Sequence, residues 1–392
     1  MLIKFLSFFV HILLLTECTL TPKSRKSGEK GSKPDKSEVV RSGPDEIDVF
    51  EKNLVVNPPT AKEIINNHKA YCKKTHIKRT QGKSLAYITP WNNNGYNAAF
   101  IFANKFTHIS PVWLQAKRVD KGVYEILGQH DVDKDWMADV KRAGKANNLK
   151  IVPRIILENW LAEDYVKLSM MQDEWDGFSN TLIRTAQKHK FDGYVIEIWS
   201  QVIGRLRSDL IINLVQEVSM RVRKEKLEII LVIPPMRSKT PLFDQNNFND
   251  LYDYVDGFSL MTYDFSNVHR PGPNAPIRWI EDCVKLIAPD IEKREKIFTG
   301  FNLYGYDFTP SGGGAVINHD YLKLLKKFKG KLQIDEKSQE HYFEVKEEDG
   351  KHIIFYPTLF TINERVKLVN KLGTGVSIWE LGQGLDYFFD LF

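Results

Sequence analysis

FDGYVIEIWSQVIGRLRSDLIINLVQEVSMRVRKEKLEIILVIP, residues 191–234, contains a complete strand–helix–strand unit. Its two ends, 191–199 and 227–234, are short, apolar and rich in β-branched residues, the composition of strands. Between them, 202–225 repeats its apolar residues at helical spacing. The same alternation extends outward in both directions. It predicts further strands at 84–89, 106–114, 149–157, 255–263, 296–303 and 374–380, and helices at 134–147, 172–189, 276–288 and 358–372. Eight strands alternating with helices imply an α/β fold with a parallel sheet closed into a (β/α)8 TIM barrel. The rival is an open doubly wound sheet. It lacks support, because no Gly-x-Gly-x-x-Gly follows the first strand, and no nucleotide cofactor is expected.

Two segments lie outside this rhythm. Residues 60–73 read as a lead-in helix. Residues 304–357 are too long for one strand-to-helix connection, and they hold a Gly-rich stretch (Ser311 to Ala315), a helix (Asp320 to Lys329) and strand-like HYFEV and HIIFYP around an Asp-Gly turn. A small α+β insertion after strand seven is expected. The SGGGA stretch is not followed by Lys-Ser/Thr, so it makes no phosphate cradle.

The chain has 392 residues, 42% of them apolar and 27% charged, which excludes a disordered or disulfide-stapled chain. Residues 1–18 have a basic start at Lys4, an apolar run from Phe5 to Leu15, and Thr16 and Cys18 before a cleavage point. They predict a secretory signal peptide, too short to span a bilayer, and hence a secreted or lysosomal protein. Residues 19–59 then form a basic, flexible leader; 19–45 carry seven Lys/Arg against four Asp/Glu, a net +3. The full chain is +5, so the body is near +2, too little for a nucleic-acid partner. No run elsewhere is long enough for a membrane span. Cys72 and Cys283 allow one bridge at most, and two buried thiols fit equally well. The ten His show no metal-ligand spacing, so no metal is expected.

In such a barrel the chemistry belongs at the C-terminal ends of the strands. Trp91, Trp113, Trp160, Trp199 and Trp379 fall at those ends, while Trp136, Trp175 and Trp279 fall in helices. Flat aromatic rings with a polar handle suit sugar rings. Glu158, Glu197, Asp264 and Glu380 put carboxylates at the same rim, as glycosidic chemistry requires.

Five segments in order then resemble glycoside hydrolase family 18, the chitinases and chitinase-like lectins. They are FDGYVIEIW (191–199), LMTYDF (260–265), GFNLYGYDF (300–308), DEKSQEHYF (335–343) and GVSIWELGQG (375–384). The family's strand four reads F-D-G-x-D-x-D-x-E and ends in the catalytic acid. Here Phe191, Asp192 and Gly193 match, but Val195, Glu197 and Trp199 replace the two later Asp and the Glu. Alternation along a strand puts 195, 197 and 199 on one interior face, so Trp199 is expected where the acid should stand. Glu197, two residues deeper, is expected to pair with Arg154. The resemblance further implies that Met261, Tyr263 and Asp264 hold an N-acetyl sugar, that Trp379 floors the central subsite, and that Tyr304 lines the cleft. PRIILENW (153–160) replaces the family's Ser-x-Gly-Gly. The expectation is a protein that is not an enzyme. It would bind N-acetylglucosamine oligomers or related glycolipids in an innate-immunity setting, and the resemblance adds a scavenger-type receptor as a partner. The alternatives are a glycosidase with a relocated carboxylate (Glu158, Glu197 or Glu380) and a protein-interaction module.

Overall fold

The computed structural model describes residues 40–392; the expected signal peptide and about half of the basic leader, up to residue 39, lie outside the described residues. The barrel strands are β1 (Ser84–Ile88), β2 (His108–Pro111, resumed at Leu114–Asp120), β3 (Lys150–Ile151, resumed at Arg154–Leu157), β4 (Gly193–Glu197), β5 (Glu228–Ile233), β6 (Gly257–Leu260), β7 (Ile297–Asn302) and β8 (Gly375–Trp379). Each pairs in parallel with its neighbours in chain order, and β8 returns to β1. The β2–β3 contact is made in two halves, His108 opposite Lys150 and Leu114 opposite Ile155. Pro153 lacks an N–H and interrupts β3 between the halves, although its carbonyl still accepts from Val195 N at 3.0 Å. The ring is thus closed as the alternation predicts.

Leu85, Tyr87, Val112, Val152, Val195, Ile230, Val232 and Phe298 fill the barrel interior, with Met261 and Trp379 above them. The opposite side chains of the same strands, such as Ile196, Ile229 and Leu231, pack under the surrounding helices. Layers of branched residues inside the ring are what let it close without a pore. Gly193 is required at the β4–β5 contact: a Cβ there would fall 2.1 Å from the Glu228 carbonyl oxygen.

The insertion after β7 is a five-stranded antiparallel sheet with the helix Asn318–Leu325. Its Gly-rich stretch is a strand, Gly312–Val316, paired with Gly305–Thr309, rather than a loop. Thr60 caps a shorter lead-in helix than expected, Ala61–Asn67. Lys69–Cys72 beyond it is a strand that pairs in parallel with Ser42–Asp45. Residues 42–59 are therefore not wholly a flexible leader; Val49 is buried in the main core. Cys72 and Cys283 are both buried free thiols. No helix among the described residues is long and apolar enough to cross a membrane, and no cluster of three His, Cys, Asp or Glu among them could hold a metal ion.

At the N-terminal end of the barrel, Glu228 accepts from His108 Nε2 at 2.8 Å and pairs with Lys150. Burial pushes its carboxyl up, but His108 and Lys150 outweigh burial and hold it down at about 2, from an ordinary 4.5. A value depressed by folding stabilises above the unfolded value, and that contribution is lost as pH falls toward the folded one. Glu228→Gln should therefore cost on the order of 3 kcal/mol near neutrality. The deficit should shrink between pH 4.5 and about 2. Urea titrations of both proteins across that window check it; a deficit independent of pH would contradict the assignment.

Candidate functional site

A cleft opens at the C-terminal ends of β1, β4, β5, β6 and β8. Its empty space, continuous with open solvent, is about 590 Å³, and it is lined by Tyr87, Glu197, Ser200, Val232, Pro234, Pro235, Arg237, Met261, Tyr263, Asp264 and Trp379. Glu197 is the last residue of β4, and its side chain is 16% exposed. Its Oε2 accepts from Arg154 Nη1 at 2.8 Å, the pairing expected from the sequence. Trp379 is the last residue of β8; its ring lies 5.2 Å from that of Tyr87, whose hydroxyl bonds Ser259 Oγ at 2.8 Å. Burial raises the Tyr87 phenol well above its ordinary value, so it stays a neutral hydroxyl.

Asp264 stands just beyond β6 with a left-handed backbone, φ 58°, uncommon for any residue but glycine. Several contacts hold it there. Its N–H donates to Asn274 Oδ1 at 2.7 Å, and Arg237 donates to the carbonyls of Asp264 and Tyr263. Its carboxylate accepts from the Tyr304 and Tyr306 hydroxyls. Tyr304 therefore acts on the cleft through Asp264 and does not itself line it.

Several expected site residues are elsewhere. Trp199 is not on the interior face of β4. Ile198 has a helical backbone (ψ −27°) and begins the short helix Trp199–Val202, so strand alternation ends at Glu197. The indole turns outward, fully buried, with Nε1 donating to Leu242 O at 2.8 Å and its ring edge-on to Phe243. Trp113 is buried where β2 is interrupted, its Nε1 on the Tyr96 hydroxyl. It is not at a strand end, because β2 runs on to Asp120. Trp160 packs between Tyr124 and Tyr165, with Nε1 on Ala116 O. Trp91 is 47% exposed but outside the cleft. Glu158 is exposed beyond β3 and does not line the cleft. Glu380 is fully buried behind Trp379, accepting from Asn92 Nδ2 and Gly382 N, and burial raises its carboxyl to about 7. Only Trp379 of the five rim tryptophans lines the cleft. Sequence reading did not single out Tyr87, Ser200, Pro234, Pro235 or Arg237; the available signal was the P-P-M-R run directly after the fifth strand.

With its indole outside the cleft, Trp199 is a packing residue. Trp199→Ala should cost about 3–5 kcal/mol. Trp199→Phe should keep the ligand affinity of the parent while losing part of that stability. Denaturation midpoints with calorimetry on the same samples check this; a phenylalanine variant with intact stability and lost binding would return the side chain to the cleft.

Comparison with known proteins agrees with this fold. The chain is 29% identical over 175 residues to the cortical fragment-lytic enzyme of Bacillus subtilis, a match covering 41% of this chain and 39% of that protein. The spore cortex-lytic enzyme SleL of Bacillus megaterium shares the fold, with TM-score 0.65, 20% identity, and 79% of this chain and 74% of that chain covered. So does a chitinase from Cycas revoluta solved in complex with (GlcNAc)3, with TM-score 0.60, 14% identity, and 79% and 97% covered. The expectation that the chain is not an enzyme is corrected by these matches, since the proteins it resembles are named as lytic enzymes and a chitinase. The indole expected in the cleft at the end of β4 is not there either, although the family's acid position is still Trp199. The family model for glycosyl hydrolases family 18 matches residues 83–384, and the chain belongs to that family.

Proposed function

We propose that the protein is a glycoside hydrolase acting on amino-sugar glycans, with Glu197 as a relocated proton donor. The observation that carries this reading is the end of β4. The strand stops at Glu197, and the carboxylate opens into a cleft that also holds Asp264 and the Trp379 ring. Glycosidic cleavage needs a carboxylic acid at the bridging oxygen and a second group to meet the developing positive charge. Glu197 supplies the proton and the bond from the sugar carbon to the bridging oxygen breaks. Water then takes the carbon, and its proton returns to Glu197. Asp264, fixed by Tyr304 and Tyr306, faces the positive charge. Trp379 offers its face to the apolar side of a sugar ring.

Names of similar proteins support a substrate of this class: one acts on cortical fragments, and another holds (GlcNAc)3. We take N-acetylglucosamine oligomers as the first substrates, with amino-sugar glycolipids as larger relatives. The direct test is chromatography of such oligomers, of increasing length, after incubation with the purified chain. New reducing ends are expected. Binding with no turnover at any pH would overturn the proposal. We further propose entry into the secretory pathway through residues 1–18, delivery to the medium or the lysosome, an innate-immunity setting and a scavenger-type receptor as partner. Expression with and without that segment tests the routing.

A further inference from the structure

Arg154 lies on β3 facing the barrel interior. It is 4% exposed. In register it stands opposite Val195, while Glu197 stands opposite Ile156. To reach Glu197 Oε2 at 2.8 Å, the side chain climbs one residue pair toward the rim, a diagonal that a long side chain can span. Its guanidinium carbon also lies 5.9 Å from the centre of the Trp379 ring. One buried cation thus bonds the carboxylate and stands beside the aromatic floor. Its Nε is buried and has no hydrogen-bond partner among the described residues.

Such a placement is a poor source of stability. Desolvation offsets most of the attraction in a buried ion pair, and an unpaired buried N–H adds a further cost. Where the interior needs only filling, this chain uses Val152, Val195 and Val232. We propose that Arg154 is a positioning residue for hydrolysis. It holds Glu197 through Oε2 and leaves Oε1 for the glycosidic oxygen. The inference rests on the reading of Glu197 as proton donor. Other ionisable or charged groups around Glu197 are Tyr87 from β1, Arg237 after β5, and Tyr263 and Asp264 after β6. Among the described residues Arg154 is the cation paired with it.

The test measures kcat and KM on N-acetylglucosamine oligomers for the full chain, Arg154→Met, Arg154→Lys and Glu197→Gln. Arg154→Met should lower kcat by about tenfold with KM little changed, because the donor is no longer held. Arg154→Lys keeps a donor to Oε2 without the planar fork, so kcat should fall by less. In the methionine variant, kcat and KM degraded together would mean a merely structural arginine. If the methionine variant does not fold, the lysine variant decides: parental kcat overturns the proposal. An active Glu197→Gln variant instead defeats the underlying assignment of the donor, which is a separate outcome.

Discussion

Replacing Glu197 with glutamine is expected to lower turnover of N-acetylglucosamine oligomers by about 10²–10⁴-fold, the range that general acid catalysis supplies, while affinity for a trimer stays within a few-fold. Glutamine keeps the shape of the side chain but cannot hand over the proton. The groups that would bind the sugar are elsewhere in the cleft: Trp379 at the end of β8, and Tyr263 and Asp264 beyond β6. The substitution leaves Arg154 without its carboxylate, so some loss of stability accompanies it, and melting temperatures are needed beside the kinetics. Glu197→Asp is the informative companion. It retains an acid but withdraws it by one methylene, and because a donor must come within about 3 Å of the oxygen it protonates, kcat should fall while the pH profile keeps its shape. Parental turnover in the glutamine variant, measured on a folded sample, would place the proton donor on another group.

Much of the barrel was legible because each strand carries its own signature. An apolar, β-branched run followed by a helical repeat leaves few alternatives, and eight such units leave closure as the natural solution. The end of β4 was not legible, for a reason specific to its residues. Ile198 and Trp199 are large and apolar, so they fit an inward strand position and an outward helix start equally well. Alternation extrapolated through them puts Trp199 in the cleft, whereas the helical backbone at Ile198 sends it outward to Leu242 and Phe243. A change of backbone region flips a side chain as surely as a slip of register, and no periodicity records it. The tryptophans teach the same lesson. Trp113 and Trp160 sit near expected strand ends, but each finds a partner for its indole N–H inside the fold, on Tyr96 and on Ala116. Composition marks them as suited to sugars; only packing shows that they are already used. Asp264 and Tyr263 were readable through the family pattern, while Arg237, which braces both of their carbonyls, carried no motif at all.

That brace is one end of a longer chain of contacts, and its other end should be a sensitive point of the fold. Arg365, on the helix Leu359–Leu372, is buried and donates to Glu340 Oε1 at 2.9 Å and to the carbonyls of Thr361 and Ala275. Glu340 belongs to the insertion sheet, and its carboxylate accepts from Asn274 N at 2.8 Å and Ala275 N at 2.6 Å. Asn274 in turn accepts the Asp264 N–H through its side chain and the Phe265 N–H through its carbonyl. The insertion is thereby fastened to the loop that fixes Asp264. Breaking a buried pair by removing one member strands the other charge, at about 3–5 kcal/mol. Arg365→Met should therefore lower stability by about that amount and raise KM, because the segment carrying Asp264 loosens. Replacing both partners removes the stranded charge, although the two N–H groups of Asn274 and Ala275 then lose their acceptor. Arg365→Met with Glu340→Leu should thus be more stable than the sum of the two single variants predicts, a coupling typical of residues in contact. Urea midpoints for the four proteins give the coupling, and KM on an oligomer gives the link to the cleft. Additive losses would show that the pair acts as two independent groups; a full loss of stability with KM unchanged would cut the proposed connection between the insertion and the sugar-binding loop.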